Sequence, residues 1–303
     1  MQKTQMNLHA LTISAIERLQ QAGIDNPSLD ARLLICEALS CDRAALLAQN
    51  ERILTQAETD KSEFLIARRA AHEPVGRILG RREFWGLSFA LNEATLEPRP
   101  DSESLIALAL TLQLPEKPRL LDLGTGTGCL LLALLHEWPE ATGLGIDLAP
   151  RAVEAAQKNA ESLGLTARAS FQTGDWLKDV TGSFDLILSN PPYIPTPEIA
   201  ALMPEVRLFD PKAALDGGKD GLDPYRKLIP LFPRFLTPEG WALFEVGAGQ
   251  AEDVVALFET HGFKNIQTQK DLGGISRCVA GQVAHGSRHR DAKNANGPVT
   301  DCL

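Results

Sequence analysis

Two short segments carry the residues best suited to chemistry. The first, the glycine loop of residues 124–128 (GTGTG), follows the apolar run 119–123. Glycines let a loop turn sharply, leave room for a ligand against the backbone, and allow amide groups to donate hydrogen bonds to that ligand. The second, the NPPY segment of residues 190–193, follows the apolar run 184–189 and places a side-chain amide near an aromatic ring. Each pattern predicts a ligand-binding loop at the end of a buried strand.

An acidic residue at the end of the next predicted strand limits the kinds of ligand that the glycine loop is expected to bind. Asp147 ends the run 141–147. A carboxylate at this position can accept hydrogen bonds from both ribose hydroxyls of an adenosine. Nicotinamide and flavin enzymes use related glycine loops, so the loop and Asp147 together indicate an adenosine-containing cofactor without choosing among them.

Three details favour S-adenosylmethionine over a dinucleotide. Asp122 ends the first strand where a cationic sulfonium and amino group would lie, and its charge would repel a pyrophosphate. The loop is not G-x-G-x-x-G, because Leu131 occupies the position of the third glycine. Asp175 and Trp176 close the third predicted strand, and they suit the amino group and the ring face of an adenine. Ordinary packing at the rim of the core is the alternative for Trp176.

The NPPY segment suits a reaction at a planar nitrogen. The lone pair of an amide or an exocyclic base amine is delocalised, so this nitrogen needs acceptors that hold its hydrogens and aim its lone pair at an electrophile. Asn190 offers a side-chain carbonyl, and Pro191 offers a backbone carbonyl. Pro192 stiffens the turn, and Tyr193 provides a face for stacking. A proline pair that only ends a strand is the alternative.

Further segments extend these motifs over residues 10–281. They are GRREFWGL, PRPDSE, NPPYIP, EVR, DGLD, and DLGG followed by Arg277, at residues 80–87, 98–103, 190–195, 205–207, 220–223 and 271–274. Together they resemble the release factor glutamine methyltransferase (HemK-like) family of S-adenosylmethionine-dependent N-methyltransferases. Ser102 stands where this family usually has threonine, a change that keeps the hydroxyl, and the chain continues past the family's usual end.

The resemblance implies methylation of the side-chain amide nitrogen (N5) of the glutamine in the Gly-Gly-Gln motif of class 1 peptide chain release factors. It also implies that the N-terminal helices help to bind this protein substrate. The expected cofactor contacts are Gly124, Thr125, Gly126, Thr127, Gly128, Asp147, Asp175, Trp176 and Asn190. The expected catalytic residues, which would also hold the glutamine, are Asn190, Pro191, Pro192 and Tyr193.

Three other functions remain open at this point. A sister enzyme methylates a glutamine of a large-subunit ribosomal protein and shares the NPPY segment, but its preceding segment differs from EFWGL and PRPDSE. An amino-methyltransferase of DNA or RNA is disfavoured by the net charge of −9, whose acidic excess lies after residue 90, and by the lack of a base-reading domain. A non-enzymatic docking module would leave the NPPY segment without a use.

Periodicity predicts the elements that position these residues. Helical spacing over 7–72 predicts three or four short helices, one of them opened by a capping box of Thr55 and Glu58. A β-hairpin is predicted over 83–96 with its turn at Asn92-Glu93, and Asp101 or Ser102 is expected to cap the next helix. The predicted regions are a helical domain 1–78, a hairpin linker 79–100, a methyltransferase domain 101–281 and a disordered tail 282–303.

Beyond residue 100, apolar strands alternate with helices, which is typical of a doubly wound α/β fold covered on both faces. Strands are predicted at 119–124, 141–147, 169–175, 184–190, 240–247, 265–269 and 277–281. Helices are predicted at 129–138, 150–163, 222–236 and 250–261, with a long proline-rich loop after residue 190. We therefore expect a mostly parallel, seven-stranded, Rossmann-like methyltransferase sheet.

Composition favours a globular protein without a membrane segment. Of the 303 residues, 44% are hydrophobic and 23% are charged. Apolar runs fall short of the roughly 18 residues that a membrane span needs, and the polar N-terminus carries no secretory signal. We therefore expect a cytoplasmic monomer that binds neither membranes nor nucleic acid directly.

Scattered cysteines and histidines predict neither disulfides nor a metal site. The five cysteines form no C-x-x-C pair, which favours free thiols. His285 and His289 are suitably spaced for a metal but lie in the polar tail, so we expect no metal there. An arginine cluster is interpreted as solvated rather than as a partner-binding patch; its members are Arg68, Arg69, Arg77, Arg81 and Arg82.

Overall fold

The structure, a computed structural model, describes residues 6–283 of the chain. Its N-terminal part is a helical module of α1 (Leu8–Gln21), α2 (Pro27–Leu39), α3 (Arg43–Ala48), α4 (Gln56–Ala70) and α5 (Val75–Leu79). These helices bury their apolar faces in a core of their own, around Leu11, Leu34 and Ile66. The capping box predicted at α4 is confirmed, since Thr55 and Glu58 each bond the other's backbone.

A short antiparallel hairpin follows, formed by β1 (Arg81–Phe84) and β2 (Leu87–Ala90). The predicted turn at Asn92-Glu93 is wrong, because the chain reverses at Trp85 and Gly86, where φ is 53° and 70°. A two-residue turn matched to the strand twist needs positive φ at both positions, which glycine adopts readily. Asn92 lies after the hairpin, where its side chain donates to the backbone oxygen of Arg151 (2.7 Å).

The remaining chain forms the predicted seven-stranded, mostly parallel sheet flanked by helices, which confirms the predicted fold class. The strands are β3 (Arg119–Leu123), β4 (Thr142–Asp147), β5 (Ala169–Thr173), β6 (Phe184–Ser189), β7 (Leu236–Glu245), β8 (Phe263–Lys270) and β9 (Ser276–Val283). Their order is β5-β4-β3-β6-β7-β9-β8, and β9 runs antiparallel to both of its neighbours. Helices are α6 (Glu103–Ala109), α7 (Cys129–Glu137), α8 (Pro150–Ser162), α9 (Pro204–Phe209), α10 (Asp223–Leu228) and α11 (Ala251–Thr260).

Some predicted boundaries differ from the structure. The helix predicted over 222–236 ends at Leu228, because Pro230 and Pro233 cannot donate the backbone bonds that would extend it. The proline-rich loop after residue 190 contains the short helix α9. Strand β9 runs to Val283, past the predicted start of the tail at 282. The rest of that predicted tail, with His285, His289 and Cys302, lies outside the described residues.

The sheet is buried on both faces, as expected for a parallel sheet covered by helices. One apolar cluster contains Leu120, Leu131 and Leu188, and the opposite one contains Leu121, Ile187 and Phe244. Within residues 6–283, no helix combines the length and hydropathy of a transmembrane segment. The cysteines in this range, Cys36, Cys41, Cys129 and Cys278, are free thiols.

Candidate active site

The glycine loop and the NPPY segment meet at one edge of the sheet. Strands β3 and β6 are parallel neighbours, while β4 lies on the other side of β3, so the strand order reverses between β3 and β6. Ligands of open α/β sheets bind in the crevice outside the carboxyl ends of strands at such a reversal. The two strand ends are joined by the buried Ser189 hydroxyl, which donates to the Leu123 oxygen (2.7 Å).

The glycine loop follows β3 in a conformation that requires its glycines. Gly124, Gly126 and Gly128 have φ of 73°, 56° and 78°, a region that other residues rarely adopt. A side chain at Gly126 would meet open space, since no heavy atom lies within 4 Å of its Cβ position. From α8, buried Asn159 donates to the Thr127 backbone oxygen (2.9 Å) and fixes the end of the loop.

Two carboxylates flank this loop at the ends of β3 and β4. Asp147 Oδ2 accepts from the Gly126 amide (2.8 Å), and Oδ1 accepts from the Ala149 amide (2.9 Å). Burial raises the pKa of Asp147 above its ordinary value. Asp122 is fully buried and accepts from the Thr125 hydroxyl (2.6 Å), while its Oδ1 has no partner among residues 6–283. Burial raises the pKa of Asp122 to about 7.

A cavity of about 360 Å³ opens beside the glycine loop, a volume within the range of small-molecule sites. Asp147, Asp175 and Trp176 line it, together with Asn190 and residues 124–127 of the glycine loop, whereas Gly128 packs against Ala156, Leu132 and Phe171 outside this lining. The Trp176 ring also packs against the apolar cluster of β6 and β7, so core packing and a place in the cavity wall coexist. Asp175 is half exposed and lies 3.3 Å from the Lys227 ammonium.

A second cavity of about 140 Å³ adjoins the first. Its walls are largely apolar and come from the chain after β6, including Tyr193, Ile194, Met203 and Val206. Both cavities are bordered by Leu96, Arg99, Asn190 and Ala214. Asn190 therefore lies where a cofactor-sized cavity meets a smaller apolar one.

The NPPY segment is held from several directions. The Asn190 amide donates to the Ser102 hydroxyl oxygen (3.2 Å), and the Tyr193 hydroxyl donates to Glu245 Oε1 (3.4 Å). Burial raises the pKa of Tyr193 to about 12, so this hydroxyl stays protonated. A Cβ at Gly221 would lie 2.2 Å from the Tyr193 backbone oxygen, so only glycine permits this close packing of the two loops. These contacts make the segment a rigid wall.

Several residues at the site were not assigned a role from the sequence. Glu97 and Arg99 line the larger cavity, and Ser102 touches Asn190 instead of capping α6 with its side chain. These three lie in or beside the PRPDSE segment, which carried the resemblance but no predicted chemistry. Glu245 is a buried acid at the end of the apolar strand β7. An acid at the end of an apolar strand also singled out Asp122 in the sequence, but Glu245 was not singled out on the same ground.

The helical module contacts the chain that forms the smaller cavity. Arg69 pairs with Glu205 of α9 (3.1 Å), and Arg77 pairs with Asp210 just after α9 (2.9 Å). The side chains of Arg69 and Arg77 are only 9% and 8% exposed, so the interpretation of the arginine cluster as solvated is wrong for these two. Arg81, by contrast, is exposed.

The arrangement can bind an adenosine-containing cofactor and present a second ligand to it past Asn190. Within the described residues 6–283, no group of three or more His, Cys, Asp or Glu side chains is placed to hold a metal ion.

Comparisons with known proteins agree with this architecture. A family model described as the PrmC N-terminal domain matches residues 10–80, and one described as the methyltransferase small domain matches residues 99–203. The catalytic domain of hMettl16, solved with an RNA hairpin, has a similar fold (TM-score 0.54, 14% identity, covering 78% of this chain and 86% of that one).

Curated relatives are similar over nearly their whole length. The release factor glutamine methyltransferase of Rhodospirillum rubrum is 50% identical, covering 93% of this chain and 89% of the relative. The protein of the same name from Vibrio cholerae is 41% identical, covering 91% of this chain and 97% of the relative. Identity of this extent over both domains shows common family membership, and the chain therefore belongs to the release factor glutamine methyltransferase family.

Proposed function

We propose that this enzyme transfers a methyl group from S-adenosylmethionine to the side-chain amide nitrogen of the glutamine in the Gly-Gly-Gln motif of class 1 release factors. The observation that carries the proposal is the position of Asn190, where the larger cavity meets the smaller one. The names of relatives at 41–50% identity agree with a release factor as the methyl acceptor.

The larger cavity suits S-adenosylmethionine. The open space at Gly126 admits a ligand against the backbone, and Asp147 borders the cavity as an acceptor for ribose hydroxyls. The Trp176 ring offers a face for adenine, and Asp175 offers an acceptor for its amino group. The unpartnered Oδ1 of Asp122 adds negative charge behind the loop when ionised. When bound, the cofactor supplies an electrophilic methyl group on a positively charged sulfur.

The smaller cavity suits the side chain of glutamine. Its apolar walls match the methylene groups, and the Tyr193 ring gives a planar amide a surface to stack on. Asn190 borders both cavities, and its side-chain oxygen accepts one hydrogen of the glutamine nitrogen. The second acceptor proposed from the sequence is the backbone oxygen of Pro191, a buried residue that lines neither cavity. Because these oxygens cannot hold a proton, they position the nitrogen without acting as bases, and the proton is lost to water after methylation.

The helical module is the proposed docking site for the rest of the release factor. Its contacts with α9 link it to the wall of the smaller cavity, through Arg69 and Arg77. A release factor is a protein of the translation machinery, so we infer that the reaction takes place in the cytoplasm. The net charge of −9 fits a protein acceptor better than a nucleic acid.

Methyl transfer to three acceptors side by side tests the proposal. Radiolabelled S-adenosylmethionine is supplied with an unmodified release factor, a large-subunit ribosomal protein or total RNA, and mass spectrometry locates the methyl group. We expect labelling of the release factor at the glutamine of Gly-Gly-Gln. A release factor with glutamate at this position should take up no label, because a carboxylate has no nitrogen. Labelling of ribosomal protein or RNA in preference to the release factor would refute the proposed substrate.

A further inference from the structure

Glu245 is a buried acid beside the NPPY segment. It is the last residue of β7 and is 1% exposed. Ser189 of β6 pairs with Phe244 of β7, so Asn190 and Glu245 directly follow this pair on neighbouring strands. Such complete burial of a carboxylate is costly unless polar groups surround it. The groups around Glu245 therefore indicate what it does.

The Glu245 carboxylate faces three polar side chains of the site, those of Tyr193, Ser102 and Asn190. Its Oε1 accepts from the Tyr193 hydroxyl, whereas Oε2 is buried without a hydrogen bond of standard geometry among residues 6–283. The side chains of Ser102 and Asn190 lower the pKa of Glu245 by hydrogen bonding, against the larger effect of burial. Ser102 also accepts from the Asn190 amide (3.2 Å). Ser102 and Asn190 therefore contact each other, and both lie beside the Glu245 carboxylate.

The charge of Glu245 sets the direction of the hydrogen bonds among Glu245, Ser102 and Asn190. An ionised carboxylate only accepts, so Ser102 and Asn190, which lie beside it, can direct only a hydroxyl proton or the NH₂ group toward it. The Ser102 oxygen, its proton directed to Glu245, has only lone pairs left for Asn190, and Asn190 must present its NH₂ group to Ser102. The oxygen on the other side of the Asn190 amide is thereby left for a ligand.

We propose that Glu245, acting directly and through Ser102, is a positioning residue that turns the Asn190 carbonyl oxygen toward the smaller cavity. This inference rests on the proposed methyl transfer, in which that oxygen accepts a hydrogen from the glutamine nitrogen. The hydroxyl of Ser102 serves this role, and threonine at position 102 would relay the hydrogen bond equally, whereas alanine would not. If the Asn190 side-chain amide were flipped, its NH₂ group would face the N–H of the substrate, and two donors cannot form a hydrogen bond.

Protonation of Glu245 should remove its effect on the orientation of the Asn190 side-chain amide. Burial raises the pKa of Glu245 to about 7. A protonated carboxyl can donate a hydrogen bond to Ser102, which would reverse the direction of the hydrogen bonds among Glu245, Ser102 and Asn190. The other charged or titratable groups near it are Tyr193 on the NPPY segment, Tyr225 on α10, Cys129 on α7, Arg277 and Cys278 on β9, and Asp101 before α6. The tyrosines and cysteines have pKa values raised by burial, so none of them loses a proton near neutral pH.

The variant Glu245→Gln tests the proposal, because glutamine keeps the shape but can donate as well as accept. We expect kcat for methylation of the release factor to fall about tenfold or more at pH 8, as for loss of a preorganised polar contact. The Kd of S-adenosylmethionine, measured by calorimetry, should stay within about twofold, because Glu245 does not border its cavity. Glu154→Gln, an exposed acid on α8, is the charge-matched control and should retain wild-type kcat.

Three readouts separate positioning from a merely structural role. In an Asn190→Ala background, Glu245→Gln should lower kcat far less than it does in the wild-type enzyme, since the orientation of Asn190 is the main route by which Glu245 acts. The ratio of wild-type to variant kcat should approach one as the pH falls below about 7. Ser102→Thr should retain activity, whereas Ser102→Ala should lower kcat.

Full additivity of the two substitutions, or wild-type kcat in Glu245→Gln, would overturn the positioning role while leaving the proposed methyl transfer intact. Failure of the wild-type enzyme to methylate the release factor would instead refute the proposed function. Thermal unfolding of each variant shows that the comparison involves folded protein, and Ser102→Ala supplies the same test if Glu245→Gln does not fold.

Discussion

Substitution of Arg77 by alanine should remove a buried anchor between the helical module and the rest of the chain. The Arg77 side chain is 8% exposed and that of Asp210 is 4% exposed. The Arg77 guanidinium donates to the backbone oxygens of Asn92 (2.6 Å) and Thr95 (2.5 Å) and to Asp210 (2.9 Å). Alanine at position 77 leaves all three acceptors without this donor.

The size of the loss follows from what remains. Removal of one partner of a buried ion pair typically costs about 3–5 kcal/mol, because the other charge stays buried and unpaired. Asp210 keeps a contact with Arg99 (3.1 Å), so we expect the lower end, about 3 kcal/mol. This corresponds to a change of roughly 150-fold in the equilibrium constant for unfolding, at about 1.4 kcal/mol per factor of ten.

Urea unfolding followed by tryptophan fluorescence measures this loss. Arg81→Ala is the matched control, since Arg81 pairs with Glu37 on the surface, where the two side chains are 53% and 35% exposed. An exposed pair contributes about 0–1 kcal/mol, so the control should unfold at nearly the wild-type urea concentration. Equal losses of unfolding free energy for Arg77→Ala and Arg81→Ala would refute the reasoning from burial.

Three further predictions concern the site. Asn190→Ala should lower kcat by roughly tenfold to a thousandfold, with a far smaller change in cofactor Kd; an unaltered kcat would contradict its role. Asp147→Ala should weaken S-adenosylmethionine binding, and wild-type affinity by calorimetry would count against the ribose contact. The pKa of Asp122 is raised to about 7 in the folded protein. Between the ordinary pKa of an aspartate and pH 7, the native state therefore binds more protons than the unfolded state, and the free energy of unfolding falls as the pH rises. Without cofactor, Asp122→Asn should therefore gain stability relative to wild type between about pH 5 and about pH 7.5, and a pH-independent difference would argue against this assignment.

Local signals were sufficient where neighbouring residues determine the outcome. The capping box of Thr55 and Glu58 needs only residues within one turn, and it formed as predicted. The hairpin turn was wrong because Asn92-Glu93 looked like a turn, while the less obvious pair at Trp85 and Gly86 supplies the required positive φ. The helix predicted over 222–236 was too long, because Pro230 and Pro233 cannot donate the backbone hydrogen bonds that would extend it.

Long-range contacts at the site could not be read from such patterns. Arg77 and Asp210 are far apart in sequence, and nothing near either residue marks it as a buried ion-pair partner. The arginine cluster was interpreted as solvated for this reason. Glu245 lies at a strand end like Asp122, but only the pairing of β6 with β7 brings it beside Asn190.

The fold class and the two loops of the site could be predicted from the amino-acid pattern, because strand–helix alternation and short glycine and proline motifs express local backbone preferences. The orientation of Asn190, the burial of particular arginines and the meeting point of the two cavities could not be predicted in this way. These features depend on which strands become neighbours, and that choice is made by the burial of apolar surface across the whole sheet rather than by any one segment.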